Sequence, residues 1–171
     1  MITTDEAASL LQTTSDAILT LLNDLSDTQM RRKPDAASWS PLEVLCHLID
    51  EEREDFRQRI DYTLHRPTEF APPIAPGQWV TERAYNSRNV AEMQAQFRAE
   101  RQQSLEWLRN LPSPNWEQPV NHPRAQELRA GELLASWVAH DLLHLRQLIE
   151  LRYALACDES NPYSVAYAGE W

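Results

Sequence analysis

Apolar residues three and four positions apart, repeated along nearly the whole chain, limit its fold more than any other feature. Leu10, Leu11, Ala17, Ile18, Leu21, Leu22 and Leu25 open the series. Such spacing lays one apolar stripe along a helix, and no stretch shows the strict alternation of a half-buried strand. The chain therefore reads as all-α.

Capping residues and prolines divide the pattern into four long helices. The first begins after Thr3, whose side chain caps while Glu6 reaches back, and is expected to end near Ser26 and Asp27. The polar run "DTQMRRKPDAAS" connects it to a second helix opened by Ser40, Pro41 and Glu43, a cap, a first-turn proline and a capping-box partner. That helix is expected to run to about His65, with Leu42, Leu45, Ile49, Phe56 and Ile60 inward. Residues 66–86 carry Pro67, Pro72, Pro73 and Pro76, so they read as an irregular crossover that packs over the bundle through Phe70, Trp79 and Tyr85.

The third helix spans roughly Arg88 to Asn110 and is stopped by Pro112 and Pro114. Its inward residues are Val90, Met93, Phe97, Leu105, Leu108 and Leu111. Arg101 falls on that same face, where a charge is costly unless paired. It either snorkels to the surface or anchors a carboxylate or anionic ligand inside the bundle. After the loop "SPNWEQPVNHPRAQ", the fourth helix runs roughly from Leu128 to Ala156, and the tail "CDESNPYSVAYAGEW" is expected to fold back onto the body. Four amphipathic helices with one long crossover between the second and third make residues 1–171 a single four-helix-bundle domain. A crossover of this length lets the third helix run parallel to the second.

Several functional classes fall away. The net charge of -10 and the lack of a basic stripe argue against nucleic acid as a partner. With only three glycines there is no phosphate-cradling loop, and no GxSxG elbow is present. The N-terminus does not read as a secretory signal, and no apolar stretch is long enough to span a bilayer. Two cysteines are too few for a disulfide framework, and Cys46 sits where a small core residue belongs. The expectation is a cytoplasmic protein acting on a small molecule.

The remaining chemistry lies in the histidines. In "WVAHDLLHLRQL", His140 and His144 stand four apart on the apolar stripe of the fourth helix. Residues i and i+4 stack on one face, so both imidazoles can reach one ion at about 2.0 to 2.1 Å. The bland alternative is a pair of core histidines bonded to Gln147 or to a carboxylate of another helix. A third ligand has to come from elsewhere. His47 is the natural candidate, yet at about 100° per residue it lies roughly 160° from the centre of the Leu42/Leu45/Ile49 stripe. It shares that side with Glu51, Glu54 and Gln58, which by default form a solvated face. Against this, Leu42, Val44, Leu45, Cys46, Leu48 and Ile49 make the start of the helix apolar on most sides. His65 and His122 sit at loop positions and are weaker candidates.

The segments "WSPLEVLCHL", "WVTERAY", "FRAERQQSLEWL", "HDLLHLRQL" and "PYSVAYAGEW", in this order over nearly the full length, resemble the DinB/YfiT-like superfamily of metalloproteins. The resemblance implies an up-down-down-up four-helix bundle and a divalent metal, zinc or nickel first among the choices, on His47, His140 and His144. It also implies a homodimer. Some members use low-molecular-weight thiols, as in bacillithiol transferases and mycothiol-dependent maleylpyruvate isomerase, so a thiol is a second candidate cofactor. One departure is the fourth helix, which members often open with Ser or Thr, whereas "ELRAGELL" offers neither.

Three neutral ligands leave a coordination position open, the arrangement of catalytic sites. The sequence thus suggests a metal-dependent thiol S-transferase or hydrolase. Asp141 and Gln147 are candidates to fix ring tautomers, and Glu51 or Glu54 is a general base if the His47 side faces the pocket. No residue is singled out as catalytic. The alternative is a non-catalytic bundle that binds a metal or small ligand.

Overall fold

The computed structural model describes residues 2–122 and 128–169. Pro123 to Glu127 of the last connection, and the Glu170 and Trp171 that end the quoted tail, lie outside the described residues. Helix α1 is Thr4–Asn23, α2 is Asp27–Arg31, α3 is Pro41–Asp50 and α4 is Arg57–His65. A π-helical segment, Glu51–Phe56, joins α3 to α4, so Pro41 to His65 is one continuous long helix. Helix α5 is Pro76–Glu82, α6 is Val90–Arg109 and α7 is Ala130–Glu159. Among the described residues the sole β-type pairing is an isolated bridge between Pro119 and Arg129. The all-α, four-helix fold is the one the spacing dictates.

The helix starts follow from the caps. Thr3 accepts from the Glu6 backbone N–H at 3.2 Å while Glu6 accepts from the Thr3 N–H at 2.8 Å. Ser40 and Glu43 repeat the exchange at 3.2 and 2.8 Å. At α7, which lacks a hydroxyl cap, the Glu132 carboxylate accepts from the Arg129 N–H at 2.6 Å. Two short helices depart from the sequence reading. The first helix stops at Asn23, and Ser26 with Gln29 builds a second capping box that starts α2 inside the presumed connection. In the crossover, Pro76 at the first turn opens α5, whose Trp79 and Val80 are buried against the bundle.

Helix α1 packs chiefly on α6 and α7, α3 on α6, and α4 on α7. The core falls into two apolar clusters. One gathers Ile18, Leu22, Leu45, Leu48, Phe97 and Leu148; the other gathers Leu11, Phe56, Ile60, Leu105, Leu108 and Trp137. Burying each such side chain stabilises the fold by about 1.5–3 kcal/mol. Besides these clusters, every long helix contributes buried polar residues. These are Thr14 and Ser15 on α1, Glu51 and Glu52 on the π segment, Arg101 and Ser104 on α6, and Asp141 on α7.

Two side-chain expectations are corrected. Leu10 points outward, 44 % exposed, because Leu11 takes the inward position on α1. In the described part of the tail the aromatic side chains do not pack on the body: Tyr163 and Tyr167 are exposed at 82 % and 105 %.

Candidate metal centre

Three imidazoles come together where α3 meets α7. His47 Nε2 lies 3.3 Å from His140 Nε2, and His144 Nε2 lies 3.2 Å from the same atom. Each ring thus offers one ligand atom, all within 4.8 Å of one another. The helix position that angle counting assigned to a solvated side is 5 % exposed. Every residue of α3 is buried, since α5, α6, α7 and the α2 connection surround it, so α3 has no solvated side to which His47 could belong.

With His144 Nε2 lacking a proton, a single N–H on His140 or His47 bonds across at most one of these contacts, so the three ring nitrogens are not all satisfied by one another. Nor does charge resolve it. Burial, followed by the other two rings, pushes His47 down to about 2, and burial with His144 pushes His140 down to about 3. His144 is lowered by burial and partly restored by Gln147. All three are therefore neutral donors at neutral pH, the form that binds metal. Two nitrogens on one tetrahedral ion at about 2.05 Å each stand about 3.3 Å apart, the spacing of the His47–His140 and His140–His144 pairs, with all three ligand atoms within 4.8 Å. The residues present fit a divalent ion.

Surrounding side chains hold the rings. Gln147 Oε1 lies 2.8 Å from His144 Nδ1, an arrangement that leaves Nε2 as the lone-pair nitrogen. The Trp39 ring sits 4.8 Å from His47 and stacks parallel to His144 at 6.2 Å. Phe56 lies 5.1 Å from His140 and stacks on Trp137 at 5.8 Å. The Nδ1 atoms of His47 and His140 are buried without a hydrogen-bond partner. The aromatic contacts of Trp39 and Phe56 escaped sequence reasoning. Trp39 immediately precedes the cap of α3, and Phe56 ends the π segment, whose register the sequence does not announce.

Other candidate residues lie elsewhere. Asp141, offered as a partner for an imidazole, turns away from the histidines: its carboxylate accepts from Arg101 at 2.6 Å. Arg101 is 2 % exposed; its Nε is 3.1 Å from Glu52, and it donates to the Leu11 carbonyl at 3.3 Å. It is an interior anchor for two carboxylates rather than a surface residue. Burial raises Asp141, against the pull of Arg101, and raises Glu52 to about 7.

The two glutamates expected at a solvated face are not solvated alike. Glu51 is 4 % exposed and lies one turn along from His47, hydrogen-bonded to Asp55. Burial and the Asp55 charge push it up to about 8. Glu54 instead joins Arg83 at 2.7 Å and Arg53 at 2.9 Å, which hold it down to about 2. Arg83 and Tyr85 of the crossover also reach Asp50, at 2.6 Å each, and so fasten the crossover to the helix that carries His47. His65 pairs with Asp61 at 3.0 Å, outside the cluster. Cys46 is buried and pushed up to about 12, chiefly by burial, so it is no thiolate nucleophile.

The sequence profile described as the DinB superfamily matches residues 10–148. Among solved structures, the fold is similar to that of YfiT from Bacillus subtilis, described as "a probable metal-dependent hydrolase with an unusual four-helix bundle topology". The two share 18% identity with a TM-score of 0.79, over 91% of each chain. At that identity the likeness establishes the fold alone. No curated protein matches the sequence. No helix among the described residues is long and apolar enough to cross a membrane.

Proposed function

From the premise that this chain belongs to the DinB superfamily, we propose that it is a metal-dependent enzyme acting on a small molecule. In this proposal His47, His140 and His144 hold one divalent ion, zinc or nickel. The observation that carries it is the convergence of their Nε2 atoms at 3.2 and 3.3 Å inside the bundle. A divalent ion held by three neutral ligands lowers the pKa of a coordinated water or thiol and polarises an acceptor oxygen.

The chain's own groups supply orientation and proton handling. Gln147 fixes the tautomer of His144, and the rings of Trp39 and Phe56 restrict water at the imidazoles. Glu51, a buried carboxyl one turn from His47 and hydrogen-bonded to Asp55, is placed to handle a proton beside the site. Since Cys46 stays protonated and Cys157 lies 13 residues, about 20 Å, along α7 from His144, any thiol in the reaction is a separate low-molecular-weight molecule. The reaction is accordingly hydrolysis by water or transfer to such a thiol. The similarity to a described metal-dependent hydrolase favours the first, and the thiol-using members of the superfamily motivate the second.

Metal analysis of the purified protein, followed by activity with aryl esters and with thiol plus an electrophile such as monochlorobimane, tests this. Ester cleavage without thiol identifies a hydrolase, and conjugation that needs thiol identifies a transferase. Either activity must vanish in His140→Ala. A metal-loaded protein inert in both assays favours a non-catalytic binding bundle.

A further inference from the structure

Between the crossover and the start of α7 runs a groove of about 680 Å³, within the roughly 300–1,000 Å³ of small-molecule sites. Phe70 and Ile74 of the crossover form one wall, and Val120, Leu128 and Leu133 form the other. Asp55 and Arg59 also line it, hydrogen-bonded to each other and so presenting no net charge. Phe70 is 61 % exposed and Leu128 39 % exposed, so large apolar side chains face open space within the groove's walls. The cleft between α1 and α6, about 360 Å³, differs in kind: it is lined by Asp16, Arg98, Glu106 and Arg109 and reads as solvated surface.

One wall of the groove shares a helix with two of the imidazoles. Leu133 precedes His140 by two turns of α7, about 10 Å along the same face. On the facing helix, Asp55 is reached from His47 through Glu51, a buried carboxyl that bonds Asp55 and keeps Oε1 without a partner. The crossover covers this row. Its residues 70–74 wall the groove, Ile74 packs onto the apolar cluster of α3, and α5 then packs on α3 itself.

We propose that this groove holds an uncharged, extended apolar group of the substrate, of acyl or aryl type, whose reacting end reaches His47, His140 and His144 about 10 Å away. The proposal rests on the metal-enzyme reading for its reacting end but not for the groove itself. The volume matches a single small molecule, and the paired Asp55 and Arg59 offer no free charge to a charged one.

The neutral fluorophore N-phenyl-1-naphthylamine tests the groove in metal-stripped protein. One molecule is expected to bind per chain. Phe70→Ser with Leu128→Ser, both at exposed positions, weakens it at least tenfold, while Leu10→Ser on α1 leaves it unchanged. Absence of binding, or binding equally sensitive to Leu10→Ser, overturns the groove. In zinc-loaded protein, octanohydroxamate is expected to bind at least tenfold tighter than acetohydroxamate, a gain the Phe70/Leu128 double variant removes. Equal affinities overturn the link between groove and histidines. Probe binding by a chain that takes up no metal overturns the metal reading while supporting the groove.

Discussion

His47 and His140 are 93 residues apart in the chain, yet their Nε2 atoms lie 3.3 Å apart in the fold. That spacing suits two ligands of one ion, which makes the pair a sensitive reporter of metal. Zinc at a hundredfold excess over its Kd should add about 2.7 kcal/mol, or roughly 5–10 °C in Tm for a chain of this length. Differential scanning fluorimetry with and without a chelator measures the shift. His47→Ala should abolish it, and a wild-type Tm indifferent to both zinc and chelator removes the site.

Gln147 should matter through His144 and not by touching the ion. Gln147→Ala deletes the acceptor 2.8 Å from His144 Nδ1 and should weaken metal binding by about 10- to 100-fold. Gln147→Glu, which keeps an acceptor there, should recover most of it. Competition against a chromophoric chelator reads both, and unchanged affinity in Gln147→Ala would show that the ring is held by packing alone.

Removing the interior cation is expected to be costly. Arg101→Ala leaves Glu52 and Asp141, 1 % and 2 % exposed, without their partner, a loss of about 3–5 kcal/mol in urea unfolding. Arg101→Lys should not rescue it, since one ammonium cannot reach Glu52, Asp141 and the Leu11 carbonyl together. Full stability in the lysine variant would mean that charge and not the guanidinium fork is what the core requires.

Acid should destabilise the metal-stripped protein through the same histidines. Folded values of about 2 for His47 and about 3 for His140 lie below the ordinary 6.5, so the folded state binds fewer protons than the unfolded one. Stability is then fully present above about pH 6.5 and falls as the pH drops toward those folded values. Each ring costs up to about 1.4 kcal/mol per pH unit over that range. Urea unfolding between pH 7 and pH 5 should show a shallower slope for His47→Gln than for the wild type.

Glu51 acts with the opposite sign. Its folded value of about 8 exceeds the ordinary 4.5, so its contribution is present in acid and lost as the pH rises through that interval. Glu51→Gln should therefore be near neutral at pH 5 and stabilising at pH 8, and an equal effect at both pH values would contradict a protonated Glu51.

Much of this arrangement is legible in the chain itself. Apolar steps of three and four residues force helices, and Thr3 with Glu6 and Ser40 with Glu43 start two of them where expected. The spacing of His140 and His144 puts both on one face of α7 whatever surrounds it. Local signals were also present for α2, whose Ser26 and Gln29 form a capping box inside a segment that composition alone marks as a connection.

What only the tertiary structure decides is which sides of a helix see water. Angle counting treats α3 as having one buried face, whereas it is enclosed by neighbours from four directions, which buries His47 and Glu51 with the rest. The π segment then shifts the register so that Glu51, Glu52 and Phe56 all turn inward. Arg101 and Asp141 likewise became a pair only when the bundle let the long guanidinium side chain of α6 reach across its interior to α7. Periodicity is set by neighbours along the chain and can be read there. Burial and charge pairing are set by neighbours across space, and a helix carries no local record of what will pack against it.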